Sequence, residues 1–203
     1  MFYTAKIPWI IKKIFPSLIY NIDKGEKTVF ITFDDGPVTQ TTPQILEILD
    51  AFDAKATFFC LGEYIENYPG LFEMIKEKGH SVGNHTYYHK NGWITRNMDY
   101  FRDVEKADAI INSNLFRPPY GKLKPSQIKY LKKKYKIVMW DVVSGDFDPA
   151  TTKEKCFTNV MKNVENGSII VFHDSLNAKE KMLDVLPRVL KELSELGYVF
   201  EGL

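Results

Sequence analysis

The chain has 203 residues, 44% apolar and 26% charged, a mixture that excludes disordered, collagen-like and membrane-spanning classes and fits one folded domain. A domain of this length buries roughly 70% of the surface its unfolded chain exposes, so it needs no disulfide scaffold. Its two cysteines, Cys60 and Cys156, read as free core thiols, and 27 Lys and Arg against 26 Asp and Glu leave a formal net charge of +1, which argues against nucleic acid as the partner.

Residues 1–27 read as a basic, aromatic N-terminal arm carrying Phe2, Tyr3, Trp9, Ile10, Ile11 and Phe15, packed on a domain that spans 28–203. Lys6, Lys12 and Lys13 stand around the start of an apolar stretch at 14–20 and imitate an export signal. That stretch is only seven residues long, contains Pro16 and is followed by Asn-Ile-Asp-Lys in place of a small-residue cleavage site. The expected location is the cytoplasm or the membrane periphery, with residues 1–20 as the expected membrane-surface contact.

From residue 28 onward, seven short β-branched or aromatic runs alternate with longer segments of helical period. The runs lie at 28–33, 56–60, 80–83, 115–117, 136–140, 168–172 and 198–200, and they predict an α/β fold of parallel strands. They are mostly uncharged, as strands covered on both faces are. Thr42 and Pro43 open a helix with apolar positions Ile45, Ile48, Leu49 and Phe52; Pro69 opens another that Gly79 closes. Tyr100, Val104, Ala107 and Ile111 line a third. Ile128, Leu131 and Tyr135 form the inner face of a fourth, with Lys132, Lys133 and Lys134 outside. Thr151 with Glu154 reads as the capping box of a fifth, striped by Phe157, Val160, Met161 and Val164. The last helix carries Leu186, Val189, Leu190 and Leu193, with Pro187 expected in its first turn or at a kink.

Parallel β/α units keep their ligands at the C-terminal ends of the strands. The sequence places Asp34-Asp35-Gly36-Pro37 after the first strand, His85 and His89 after the third, and Arg117-Pro118-Pro119-Tyr120-Gly121 after the fourth. Asp146 follows the fifth and His173-Asp174 the sixth. Two adjacent carboxylates at a strand end repel one another unless something positive compensates them. Histidines four apart share one side if the segment turns helically, and with Asp34 or Asp35 they make a two-histidine, one-carboxylate set for a divalent metal. Zinc suits these donors, and cobalt, nickel, manganese or iron fit the same ligands. No Gly-x-Ser-x-Gly elbow or phosphate-binding glycine loop is present, which removes serine hydrolases and P-loop enzymes. His80 is expected to pack before a buried strand, and Asp174 to cap a turn or helix.

Thr-Phe-Asp-Asp-Gly-Pro at 32–37, His-Thr-x-x-His at 85–89, Arg-Pro-Pro-Tyr at 117–120 and Val-Phe-His at 171–173 together resemble the polysaccharide deacetylase family, carbohydrate esterase family four. The resemblance implies a distorted seven-stranded (β/α) barrel with parallel strands. It also implies a metal-dependent hydrolase that removes an N-acyl group, most simply acetyl, from an amino sugar in an oligo- or polysaccharide. By motif position it implies Asp35, His85 and His89 as metal ligands and Asp34 as general base toward a metal-activated water. The backbone N–H of Tyr120 becomes an oxyanion donor, His173 the general acid, and Arg117 the partner of Asp34.

The family's fourth motif, two aspartates three apart followed by tryptophan, is altered: Val143 and Phe147 stand where an aspartate and the tryptophan are usual. Asp146 is expected to support His173 or Arg117, Asp141 or Asp148 to replace the lost polar contact, and Phe147 to form an apolar wall. Two other readings are a deformylase or deacylase of a lipid-linked sugar at the membrane surface, and a glycan-binding domain without turnover.

Overall fold

The structure, a computed structural model, describes residues 4–203; Phe2 and Tyr3 of the arm lie outside them. After α1 (Trp9–Ile14), the chain runs through β1 (Thr28–Asp34), α2 (Thr42–Ala51), β2 (Ala56–Cys60), α3 (Gly62–Asn67), α4 (Pro69–Glu77), β3 (Ser81–Asn84) and α5 (Asn97–Ile111). It continues with β4 (Leu115–Phe116), α6 (Pro125–Leu131), β5 (Lys136–Ile137), β6 (Val142–Val143), α7 (Lys153–Met161), β7 (Ile169–His173), α8 (Lys179–Glu195) and β8 (Val199–Phe200).

The strands pair in parallel in the order β5-β4-β3-β2-β1-β7-β6, a curled half-barrel of seven strands, and β8 adds to the start of β1. Every residue of β1 is buried, because helices cover one face and the barrel interior the other. Val29, Ile31 and Phe33 face outward and join Ile45 and Leu49 of α2 and Leu186, Val189 and Leu190 of α8 in one core. Each such side chain contributes about 1.5–3 kcal/mol through burial. The alternate residue Phe30 points inward and meets Phe59, Leu115, Val138 and Ile169 as the barrel floor.

Three expectations need correction. The run at 136–140 contributes only the short β5, and the seventh strand of the path is β6 at 142–143, which the expected runs omit, and not 198–200. Between β5 and β6 the carbonyls of Val138 and Met139 accept from the Arg117 guanidinium, while the Val138 N–H donates to the Phe116 carbonyl and the Met139 N–H to the Ile19 carbonyl. The cap of α7 is Thr152, whose hydroxyl accepts the Lys155 N–H at 3.1 Å, so Thr151 stands one position too early. Pro187 lies inside α8, well beyond its first turn, because Met182 and Val185 extend the buried stripe upstream.

The arm sits in the seam left between the edge strands. Ile19 pairs with Val138 just past β5, and Lys6 pairs with Val142 of β6. The N–H of Ile7 donates to the Asp141 carbonyl, and that of Val143 to the Ala5 carbonyl, both at 2.9 Å. Backbone groups that would otherwise edge the sheet are thereby paired. Beneath the arm, the enclosed Asp141 carboxylate accepts Lys6 Nζ at 2.6 Å and Lys12 Nζ and Ser168 Oγ at 2.7 Å. Lys12 thus turns inward from α1, while Trp9, Ile10 and Ile14 face solvent. Among the described residues, no helix is long and apolar enough to cross a membrane.

Replacing Asp141 leaves two lysines facing a buried seam. Asp141→Ala is expected to lower unfolding free energy by about 3 kcal/mol in a urea titration, with limited proteolysis cutting first within the arm.

Candidate active site

Strand alternation builds the centre of the site. Thr32 and Asp34 point into the barrel from β1, and His173 ends β7 as the register partner of Asp34. Arg117, just past β4, is fully enclosed and fills the space between them. Its Nη1 donates to Asp34 Oδ1 at 2.7 Å and Thr32 Oγ1 at 2.8 Å, Nη2 to the Met139 carbonyl at 2.8 Å, and Nε to the Val138 carbonyl at 3.3 Å. The guanidinium also lies 4.1 Å from the Phe59 ring centroid. Val143, in the altered motif, is a buried strand residue paired with Val171. Backbone carbonyls accept from Nε and Nη2, which Asp34 and Thr32 leave over. Asp141 lies under the arm and Asp148 accepts the Ala150 N–H in a turn, so neither takes over a contact in the site.

Asp35, His85 and His89 converge, with their ligand atoms within 4.8 Å of one another. His85 Nε2 lies 3.7 Å and His89 Nε2 3.2 Å from Asp35 Oδ1, an enclosed oxygen that no hydrogen bond satisfies. The imidazoles do not meet through a helical turn, as their spacing suggested. Residues 85–89 form a loop in which Thr86 (φ 68°) and His89 (φ 53°) are left-handed, bringing the ring centroids to 5.2 Å. His85 Nδ1 bonds the Arg117 carbonyl at 2.7 Å, which assigns the proton to Nδ1 and leaves the Nε2 lone pair free. Burial lowers the His85 pKa to about 4, so the ring is neutral. His89 Nδ1 faces the Tyr120 hydroxyl at 3.1 Å. A lone, unsatisfied carboxylate oxygen and two Nε2 atoms aimed at one point form a donor set that fits a divalent transition metal.

Two buried carboxylates that sequence reasoning missed or misassigned hold these loops. Asp103 of α5 accepts the N–H groups of Tyr87 and Tyr88 at 2.9 and 3.1 Å, pinning the loop between the histidines. A signal existed: Asp103 falls on the buried face set by Tyr100 and Ala107, where an unpaired charge would be costly. Asp174 does not cap a helix. It accepts the hydroxyls of Thr41 and Thr42, and its N–H donates to the Asp34 carbonyl at 2.8 Å. Burial raises its pKa to about 6. Gly36 packs directly on that carboxylate, where any Cβ would overlap it. His80 packs as expected, its Nδ1 accepting the Ala56 N–H at 3.2 Å.

Asp146, fully enclosed, supports His173 and not Arg117. Its Oδ1 faces His173 Nδ1 and its Oδ2 accepts the His173 N–H, both at 2.8 Å. Burial alone would lower the imidazole pKa, but the Asp146 charge and hydrogen bond outweigh it and raise it to about 9. The Phe147 ring stands edge-on to His173 with centroids 4.8 Å apart, the apolar wall expected there. Tyr120 (φ 60°) is half-exposed above His89. Beside Asp35 and His89 opens a cleft of about 500 Å³ walled by Val38, Leu61, Tyr64, Tyr68 and Leu176.

A family profile described as "Polysaccharide deacetylase" matches residues 21–139. The chain belongs to the polysaccharide deacetylase family. With that membership comes its reaction class, hydrolysis of a carbon–nitrogen amide bond. The chain is 33% identical over 180 residues to a peptidoglycan-N-acetylglucosamine deacetylase of Bacillus cereus, covering 85% of this chain and 65% of that protein. It is 30% identical over 191 residues to a chitooligosaccharide deacetylase of Azorhizobium caulinodans, covering 90% of each. A crystal structure of the Bc1960 peptidoglycan N-acetylglucosamine deacetylase superposes with a TM-score of 0.89 at 30% identity, covering 97% of this chain and 95% of that one. The profile ends before Val143, Asp146 and His173, so the structural likeness extends over the half of the rim that the profile leaves out.

The His173–Asp146 pair gives a pH signature. A folded pKa raised from 6.5 to about 9 contributes stability that is complete below pH 6.5 and is lost as pH rises through about 9. In an NMR titration, His173 of Asp146→Asn is expected to titrate well below its wild-type value, and the variant to lack this alkaline loss of stability.

Proposed function

We propose that the protein hydrolyses the N-acyl group, acetyl in the simplest case, from amino sugars in a glycan polymer. The observation that carries this reading is the enclosed Arg117–Asp34 pair beside the Asp35–His85–His89 donor set, with His173 on the adjacent strand. The peptidoglycan and chitooligosaccharide deacetylases among the relatives support the choice of an N-acetylated glycan.

Asp35, His85 and His89 would hold a divalent metal, zinc by donor type. When bound, the ion supplies Lewis acidity toward the acyl oxygen and makes a water more acidic. The chain's own groups supply the rest. Asp34, its rotamer fixed by Arg117 through Oδ1, accepts a proton from the attacking water, whose oxygen bonds to the acyl carbon. The Tyr120 N–H, in a backbone held left-handed, would donate to the charge that develops on the acyl oxygen. His173, protonated at neutral pH through Asp146, passes a proton to the departing nitrogen as the carbon–nitrogen bond breaks. The products are a free amine on the sugar and the acid of the acyl group.

Acetate and formate release from N-acetylated oligosaccharides and N-formylated sugars tests the reading, using metal-stripped protein with and without zinc. Zinc is expected to restore acetate release, and Asp34→Asn to cut kcat about 10²- to 10⁴-fold with folding intact. Zinc-loaded protein that releases neither acid would overturn the proposal. Asp103→Ala is expected to weaken zinc affinity about 10- to 100-fold in a competition titration with a chromophoric chelator, because the loop carrying both histidines loses its anchor.

A further inference from the structure

Next to His89, on the side of Tyr120, the rim carries two aromatic rings and an ammonium group that the proposed chemistry leaves unused. Lys122 Nζ stands 5.1 Å from the centroid of Trp93 and 5.9 Å from that of Tyr120. Tyr120 packs in turn on His89, with centroids 4.6 Å apart. Trp93 is 59% exposed and Tyr120 47%, an unusual degree for large rings that are held in place.

They are held firmly. Trp93 Nε1 donates to the Leu123 carbonyl at 3.2 Å, and its backbone N–H to Asn91 Oδ1 at 3.0 Å. The buried Gln127 ties this loop to the next, donating to the Gly92 carbonyl at 3.0 Å and accepting the Lys124 N–H at 2.9 Å. Lys124 Nζ closes the same junction on the Thr95 carbonyl at 2.7 Å. Tyr120 is fixed by its left-handed backbone and by its hydroxyl on His89. The ordering entropy of both rings is therefore spent in folding, which is what a binding platform requires.

The cation differs from its neighbours. Lys90 pairs with Asp103 at 3.4 Å, and Lys106 lies over Tyr87 at 3.4 Å and Tyr88 at 4.9 Å. Lys122 has no carboxylate in ion-pair range among the described residues and faces only the two rings.

We propose that Trp93, Lys122 and Tyr120 form a subsite for a sugar that bears a carboxylate, adjacent to the amino sugar undergoing deacylation. The inference rests on the N-deacylase reading of the neighbouring site. Flat indole and phenol faces receive the C–H face of a pyranose, as aromatic rings do for amphipathic ligands. The ammonium supplies the point charge for a uronate or carboxyalkyl ether on that sugar. A neutral homopolymer leaves Lys122 without a counter-charge. The preferred substrate class is therefore an acidic amino-sugar polymer, and the preference weakens with salt because the group is solvent-facing.

Two N-acetylated tetrasaccharides test this, one neutral and one with a carboxylate on alternate sugars. Wild-type protein is expected to show kcat/KM about fivefold higher for the acidic chain at low ionic strength, the range of an exposed ion pair. The ratio should fall to about one in Lys122→Ala, remain in Lys122→Arg, and shrink on adding about 0.5 M salt, which shortens screening to a few ångströms. Equal rates in wild type, or an unchanged ratio in Lys122→Ala, would overturn the subsite. A binding titration of Asp34→Asn with the same chains, followed by indole fluorescence against a Trp93→Phe control, separates the two proposals. A preference for the acidic chain that Lys122→Ala removes supports the subsite even if wild type releases no acid, a result that would sink only the deacylase reading. Binding of both chains with equal affinity would overturn the subsite.

Discussion

A guanidinium enclosed inside a parallel barrel is the constraint around which the rest is arranged. An unpaired charge in such a place costs several kcal/mol, so every donor of Arg117 must be met. Asp34 and Thr32 meet two of these demands because strand alternation turns both inward on β1, and the carbonyls of Val138 and Met139 meet two more. Those carbonyls belong to the stretch between β5 and β6, so the chain passes the guanidinium on its way from one edge of the sheet to the other. The same carboxylate that balances the guanidinium is the one left at the rim with an oxygen for chemistry. Structure and reactivity here share one ion pair.

Around that fixed centre, the mobile-looking parts are strained on purpose. Asp35, Thr86, His89 and Tyr120 all have φ between 53° and 80°, a region that costs a non-glycine residue of order 1–3 kcal/mol. None of these turns holds itself. Asp174 and the Thr41 and Thr42 hydroxyls brace the first loop, Asp103 braces the second, and Gln127 joins the second to the third. The supports are enclosed polar groups, each satisfied by backbone or hydroxyl donors, so they tolerate little substitution. The aim of the His85 and His89 rings is thus set both by direct partners, the Arg117 carbonyl and the Tyr120 hydroxyl, and by braces that never touch them.

Much of this was legible in the residues. The runs at 28–33 and 56–60 are β-branched and aromatic without interruption, and tertiary context had nothing to overrule. That Asp34, Asp35, His85, His89, Arg117 and His173 share one rim was legible because each ends or follows a strand, where a parallel barrel gathers its loops. Short elements were harder. A two-residue strand such as β6 has no periodicity to read, and it is defined by pairing with β7, a contact made across more than twenty positions. The histidine spacing suggested a helix, but the loop owes its shape to left-handed residues that leave no pattern in composition. Asp103 could have been found as a charge on a buried helical face, whereas Asp174 looked like any polar residue after a strand.

The arm in the seam has a further consequence for how the chain reaches this state. Lys6 and Lys12 meet Asp141 across 135 and 129 positions, and Asn21 pairs with Ser168. These contacts close very large loops, so their entropy is lost late and all at once. A growing chain holds the arm without its groove until β7 has been made. During that interval the exposed isoleucines and tryptophan of α1 and the bare edges of β5 and β6 stand open to other chains. The order of synthesis therefore opposes the order of docking, and barrel closure is the step at which a crowded cell has most opportunity to interfere.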